Sequence, residues 1–219
     1  MLFKLEDINL DFGDKILFNK LNFVFNKGDK IRIIGENGTG KSSLFNIILR
    51  KQEYSGNILF ENNNFGYLSQ DEGFIELKLI SSRKDEIEKL LLKENIINDI
   101  EKYNKLFDEY NQLVLNSSNQ KELNLIKKFN FNPELYQKEK KENLSGGEST
   151  KLKLIKLFSQ DFKYYLLDEP SNHLDIKSKN ILSNALKEFP GSILVVSHDN
   201  YFLDEFVNRK IKIVNGKLN

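Results

Sequence analysis

Lys30-Ile31-Arg32-Ile33-Ile34-Gly35-Glu36-Asn37-Gly38-Thr39-Gly40-Lys41-Ser42-Ser43 decides how the rest of the chain is read. Lys30 to Ile34 is a β-branched strand entered through the turn Asn26-Lys27-Gly28-Asp29. Ser42 to Leu49 carries Leu44, Phe45, Ile47, Ile48 and Leu49 at helical spacing. Between the two, Gly35 to Ser42 fits G-x-x-x-x-G-K-[ST], the P-loop pattern. Glycines there let the backbone curl so that successive N–H groups aim at one anion, and the dipole of the following helix adds to their pull. The Lys41 ammonium is then within reach of β- and γ-phosphates, and the Ser42 hydroxyl can ligate Mg²⁺. A glycine-rich turn with an incidental Lys-Ser pair has the same eight letters. The flanking strand and helix favour a nucleotide site.

Outward from this loop, the first third reads as short strands. They cover Phe3 to Leu10, Leu21 to Phe25, Gly56 to Phe60 and Phe65 to Leu68, with Asp11 to Lys15 as a turn. In the last third, Lys151 to Ser159 and Lys177 to Glu188 read as helices and Tyr164 to Leu167 and Ile193 to Val196 as buried strands. Strands alternating with helices predict an α/β fold with a mostly parallel sheet covered on both faces. The strand Tyr164-Tyr165-Leu166-Leu167 runs into Asp168-Glu169-Pro170. Beside a phosphate loop, Asp168 is placed to hold Mg²⁺ and Glu169 to face an attacking water as general base; an acidic cap on a strand is the plainer alternative. Leu144-Ser145-Gly146-Gly147-Glu148 opens a second helix N-terminus. It reads either as a simple Ser145 N-cap or as an anion site for a phosphate presented by a neighbouring molecule.

Composition narrows the classes. Of 219 residues, 39% are apolar, enough for a real core, and 33 Lys+Arg against 32 Asp+Glu leave a net charge of +1, which gives no global attraction to nucleic acid or an anionic membrane. The absence of cysteine excludes disulfide scaffolds, Cys-based zinc sites and thiol catalysis, and two histidines, His173 and His198, exclude a His-rich metal site. Apolar runs such as Ile193 to Val196 are far too short to span a bilayer, and the N-terminus alternates like a strand rather than a signal peptide. The expectation is a soluble, cytoplasmic protein. From about Ser81 the texture becomes helical: Ile96, Ile100, Tyr103, Phe107, Tyr110 and Val114 recur at steps of three and four, and a shorter helix carries Leu123, Ile126 and Phe129. This predicts a helical insert over about residues 80–143, charge-balanced and suited to packing on another helix or on its own core.

Leu144-Ser145-Gly146-Gly147-Glu148, Leu166-Leu167-Asp168-Glu169-Pro170-Ser171-Asn172-His173-Leu174-Asp175 and Ser197-His198-Asp199-Asn200-Tyr201-Phe202-Leu203-Asp204 together resemble the nucleotide-binding domain of ATP-binding cassette (ABC) proteins. Within these the chain looks most like the ABC-F group of translation and ribosome-protection ATPases. The resemblance runs from about Leu2 to Leu218, essentially the whole chain, and implies that residues 1–219 form one ABC-type P-loop domain with a mostly parallel core sheet, an antiparallel β subdomain and the helical insert. It implies that ATP lies on Gly35, Glu36, Asn37, Gly38, Thr39, Gly40, Lys41, Ser42 and Ser43, with Phe12 stacking on adenine unless it is a turn-flanking core residue. Gln70 would be the glutamine that senses Mg²⁺ and the lytic water, sharing the metal with Ser42 and Asp168, unless it is a polar strand-end residue. Glu169 and His198 would act on the γ-phosphate with Lys41, unless His198 is only a turn histidine after a buried strand. Ser145, Gly146 and Gly147 would contact ATP held by an opposing cassette, and Asp175 would communicate across that dimer unless it is simply an N-cap for the helix that follows.

Some positions depart from the pattern. Ser171 stands where ABC-F proteins usually have Thr, while Glu148, in place of the Gln of most transporter cassettes, favours ABC-F. Lys153 and Ile155 stand where the family favours Ala. The family usually joins two cassettes by a helical linker, so the chain reads as a first cassette whose partner is elsewhere, acting on the ribosome. The alternative is the ATPase subunit of a membrane transporter whose spanning partner is separately encoded.

Overall fold

A computed structural model describes residues 1–13, 15–61, 64–69, 103–108, 119–133, 135, 144–199 and 206–218. Strands β1 (Phe3–Phe12) and β2 (Lys15–Phe25) form an antiparallel hairpin, and β4 (Ser55–Phe60) pairs with the other edge of β1. β2 begins well before the predicted Leu21. Asp7 and Lys20 adopt positive φ (48° and 49°), and the β1–β2 register shifts around Ile8. Such irregularities flip the inward face of a strand, so the alternation before Lys20 does not join that after it.

The second sheet has the order β5-β6-β7-β3-β8-β9. Its strands are β3 (Lys30–Ile34), β5 (Phe65–Leu68), β6 (Tyr164–Asp168), β7 (Ser192–Val196), β8 (Arg209–Val214) and β9 (Lys217–Leu218). The pairings from β5 through β8 are parallel, and only β9 is antiparallel. The parallel core matches the sequence reading. The β8–β9 hairpin was not expected, although Asn215-Gly216, both at positive φ, is the strongest short hairpin signal there is.

Helices α1 (Lys41–Ile48), α2 (Asn119–Lys128), α3 (Gly146–Ser159) and α4 (Ile176–Glu188) complete the described elements. Residues 103–108 are also helical. The rest of the expected insert, together with Gln70, falls outside the described residues. α3 starts five residues before the predicted Lys151. Two glycines are poor helix formers, but a reciprocal capping box between Ser145 and Glu148 satisfies the first N–H groups and starts the helix there.

Strict alternation along the central strands builds two cores. Ile31, Ile33, Tyr164, Leu166, Leu194 and Val196 face α1 and the antiparallel sheet; Tyr165, Leu167, Ile193 and Val195 face α2, α3 and α4. The first core is aromatic: Phe3, Phe25, Phe65 and Tyr164 approach one another with ring centroids 5.0–6.1 Å apart. The second needs close approach at Gly66, where a Cβ would lie 2.4 Å from Leu157 Cδ1. Burial pushes the Tyr164 and Tyr165 phenols up from their ordinary values. Lys30 Nζ donates to the carbonyls of Leu186 and Lys187 (2.9 Å each), tying β3 to the C-terminus of α4, and desolvation lowers its pKa. Because β3, β5, β6 and β7 run parallel, their C-terminal ends emerge along one edge of the sheet, where open α/β sheets bind ligands.

Candidate functional site

Three strand ends build the site. β3 passes through Gly35 into the loop that opens α1, with Gly40 at the N-cap in the left-handed region (φ 101°). A side chain at Gly40 would be strained by that φ and would also set a Cβ 2.8 Å from the Phe18 ring. Thr39 closes the loop, its N–H (3.3 Å) and hydroxyl (2.9 Å) both donating to the Glu36 carbonyl. Lys41 Nζ lies within the loop, donating to the carbonyls of Gly35 (2.8 Å) and Glu36 (2.9 Å). The ammonium is thus already held where the loop curls, and an anion there would find it together with the N-terminal N–H groups of α1.

β6 delivers Asp168 and Glu169. Asp168 is the last residue of the strand and is 5% exposed. Glu169 leaves the sheet at φ 48°, an uncommon conformation for a non-glycine residue, held by its N–H donating to the Val196 carbonyl (2.8 Å). That backbone aims its carboxylate at the end of β7. There Oε2 accepts from the His198 N–H (3.3 Å) and Oε1 lies 3.5 Å from His198 Nε2. The Glu169 side chain is 9% exposed and that of His198 60% exposed, so the pair has a dry carboxylate and a wet imidazole.

A cleft of about 670 Å³ joins these ends. It brings together Phe12, Asn37, Gly38, Gly40, Lys41, Ser42, Ser43, Asp168, Glu169 and His198, all expected from the sequence. Gly35, Glu36 and Thr39 shape the loop behind it without lining it. Phe12, at the tip of the β1–β2 hairpin and 58% exposed, is a rim residue rather than a core one. Leu17, Asn172 and Val196 also line the cleft and were not singled out. Asn172 follows the acidic strand end with no chemistry its sequence position assigns, whereas Leu17 reaches the cleft only through the β1–β2 hairpin.

Ser145, Gly146, Gly147 and Asp175 stand apart from this cleft. The Ser145 hydroxyl donates to Glu148 Oε2 (2.7 Å), as does its N–H (2.9 Å), and these bonds lower the Glu148 pKa. His173, at φ 63°, packs beneath the two glycines; a Cβ on Gly147 would lie 2.9 Å from its carbonyl oxygen. Asp175 caps α4 by accepting the Ser178 N–H (2.8 Å) and meets Lys151 Nζ of α3 at 3.0 Å. These bonds, led by that from Ser178, pull its carboxyl down to about 2. The Lys151–Asp175 ion pair links the start of α3 to the cap of α4 beside the cleft. Lys151, their link, was not foreseen.

A glycine-rich loop between a strand and a helix, with acidic and imidazole groups from neighbouring parallel strands, defines a P-loop nucleotide-binding domain. The chain belongs to the ABC transporter family, whose pattern matches residues 18–172. It is thus an ATP-binding domain of the ABC ATPase class. Among its relatives, the ATP-binding protein Uup of Buchnera aphidicola (Schizaphis graminum strain) is 34% identical over 95% of this chain and 32% of its own length. The ribosome protection protein VmlR of Bacillus subtilis is 30% identical over 97% of this chain and 34% of its own length. The ABC transporter F family member 2 of Arabidopsis thaliana is 32% identical over 96% and 28%. The chain thus spans about a third of the length of these relatives. Among solved structures, dimeric MJ0796, a bacterial ABC transporter cassette, superposes with TM-score 0.69 at 18% identity, covering 100% of this chain and 97% of that one. At that identity the likeness is one of fold. No helix among the described residues is long and apolar enough to cross a membrane.

Proposed function

We propose that residues 1–219 form a single cassette that binds Mg·ATP on the loop and hydrolyses it when closed against a second cassette. The whole protein is read as an ABC-F-type ATPase that acts on the ribosome in the cytoplasm. The observation that carries the chemistry is the convergence of Lys41, Ser42, Asp168, Glu169 and His198 on one cleft while Ser145 to Gly147 stay outside it. A half-site that binds phosphate, beside a second anion-type helix end that does not face it, suits ATP sandwiched between two cassettes.

The donors present suit Mg²⁺. Asp168 is a buried carboxylate in the cleft and Ser42 a hydroxyl on the first turn of α1, both hard oxygen donors. Ser42 and Asp168 would hold it, with Gln70 as a further ligand. Once bound with ATP it neutralises phosphate charge. Lys41 Nζ exchanges its bonds to the loop carbonyls for bonds donated to β- and γ-phosphate oxygens, and Phe12 stacks on the base. Glu169 accepts a proton from water as the water oxygen attacks the γ-phosphorus in line and ADP leaves. His198 steadies the developing charge. Ser145, Gly146 and Gly147 act on the nucleotide of the opposing cassette, and Asp175 joins them to it.

The ribosome is favoured by relatives that include a ribosome protection protein and an F-family member. The test is co-sedimentation of the full protein with ribosomes, with and without ATP, in parent and Glu169→Gln. ATP-dependent pelleting, strengthened by the variant, is expected. A protein that stays in the supernatant under all conditions but co-purifies with an integral membrane partner is instead a transporter subunit.

A further inference from the structure

Arg32 is a charged residue in the middle of a buried strand. Ile31 and Ile33 face the aromatic core, so Arg32 faces the opposite side of the sheet, where it is 5% exposed. A guanidinium there is costly to desolvate unless it is hydrogen-bonded, and among the described residues it has no carboxylate partner. Its Nε (3.2 Å) and Nη2 (2.9 Å) both donate to the Ser197 carbonyl.

That carbonyl belongs to the same peptide group as the His198 N–H, and the N–H donates to Glu169 Oε2 at 3.3 Å. One peptide plane is therefore gripped on both edges, by a cation at its oxygen and by a carboxylate at its hydrogen. A cation on the oxygen polarises the peptide and strengthens its N–H as a donor. The turn is braced further. Ser197 Oγ accepts the Asp199 N–H (3.1 Å) and lies 3.5 Å from Ser171 Oγ, while Asp199 Oδ2 meets Lys179 Nζ of α4 at 2.6 Å. Arg32 sits three residues before Gly35, so the strand that feeds the phosphate loop also orients the residues set against the γ-phosphate.

We propose that Arg32 is a positioning residue for hydrolysis, fixing the Ser197–His198 peptide so that the Glu169 carboxylate and the His198 imidazole keep their places. This rests on the reading of Glu169 and His198 given above. It assigns Arg32 an effect on turnover and none on ATP binding, which the loop governs.

The test is steady-state ATPase of the full protein for Arg32→Met, Arg32→Lys, His198→Ala and the two double variants, with melting temperature and fluorescent-ATP affinity measured alongside. Arg32→Met should lower kcat about tenfold with KM for ATP and nucleotide affinity within about twofold, and Arg32→Lys, which keeps a cation on the carbonyl, should recover to within about threefold of the parent. In the His198→Ala background the loss from Arg32→Met should shrink several-fold, because residues acting as one unit are not additive. If Arg32→Met proves unfolded at the assay temperature, Arg32→Lys carries the same cycle, with its smaller loss again shrinking beside His198→Ala. An unchanged kcat per folded molecule, an equal loss in both backgrounds, or a loss that tracks ATP affinity would overturn the proposal. A silent His198→Ala would overturn the underlying reading of the site, and this proposal with it.

Discussion

The cleft at the ends of β3, β6 and β7 and the α3–α4 junction beside it are built from the same kinds of parts, glycines, carboxylates and helix N-termini, yet their bonding differs. In the cleft, Lys41 donates, among the described residues, to carbonyls of its own loop and His198 remains 60% exposed, so polar groups face space into which a ligand fits. At the junction, Ser145 is engaged by Glu148 and Asp175 by Ser178 and Lys151. The cleft is arranged to exchange internal bonds for a ligand. The junction is arranged to hold its shape and present the Ser145–Gly147 turn outward. Similar motifs thus do different work according to whether their hydrogen bonds are already closed.

Glu169→Gln should break the comparison hardest on the cleft side. The amide keeps the volume but cannot take a proton, so turnover should fall roughly 10²–10⁴-fold while nucleotide binding persists, as single-turnover ATPase and fluorescent-ATP titration would show. An unchanged rate would remove Glu169 from the chemistry. Gly40→Ala comes next. With φ at 101° and a Cβ 2.8 Å from the Phe18 ring, it should cost about 2–4 kcal/mol and abolish ATP binding, read by urea denaturation and titration.

On the junction side, Ser145→Ala should lose an N-cap worth about 1 kcal/mol while leaving this chain's own affinity for ATP unchanged. Loss of affinity in that variant would show that the two regions are not separate. The smallest effect is one of pH. The Asp175 carboxyl is lowered from 3.8 to about 2 in the folded state, so its stabilisation is fully present above about pH 4 and disappears as pH falls through 2. Because the carboxylate is 57% exposed, solvent screening holds this to under about 1 kcal/mol. Asp175→Asn should retain the cap but flatten that acid limb, measured as urea midpoints at about pH 5 and about pH 2.

Much of this was legible in the chain itself, because local chemistry dictates it. The loop at Gly35 to Ser42 needs glycines and a lysine at fixed spacing, and strands such as Tyr164 to Leu167 announce burial on both faces through unbroken apolar runs. The β8–β9 hairpin also carries a local signal, in Asn215-Gly216. What lies beyond one element could not be read in this way. Bulges at Asp7 and Lys20 hid the first half of β2, since a shift of register changes which residues face inward. The caps at Ser145 and Asp175 are local, but the ion pair of Lys151 with Asp175 depends on where α3 and α4 are packed. Arg32 gives the sharpest case. Sequence alone determines that a strand with a charge at its centre precedes the phosphate loop. Only the parallel pairing of β3 with β7 brings the Ser197 carbonyl to that charge, because an interaction between residues 165 positions apart exists only once the sheet has set their distance.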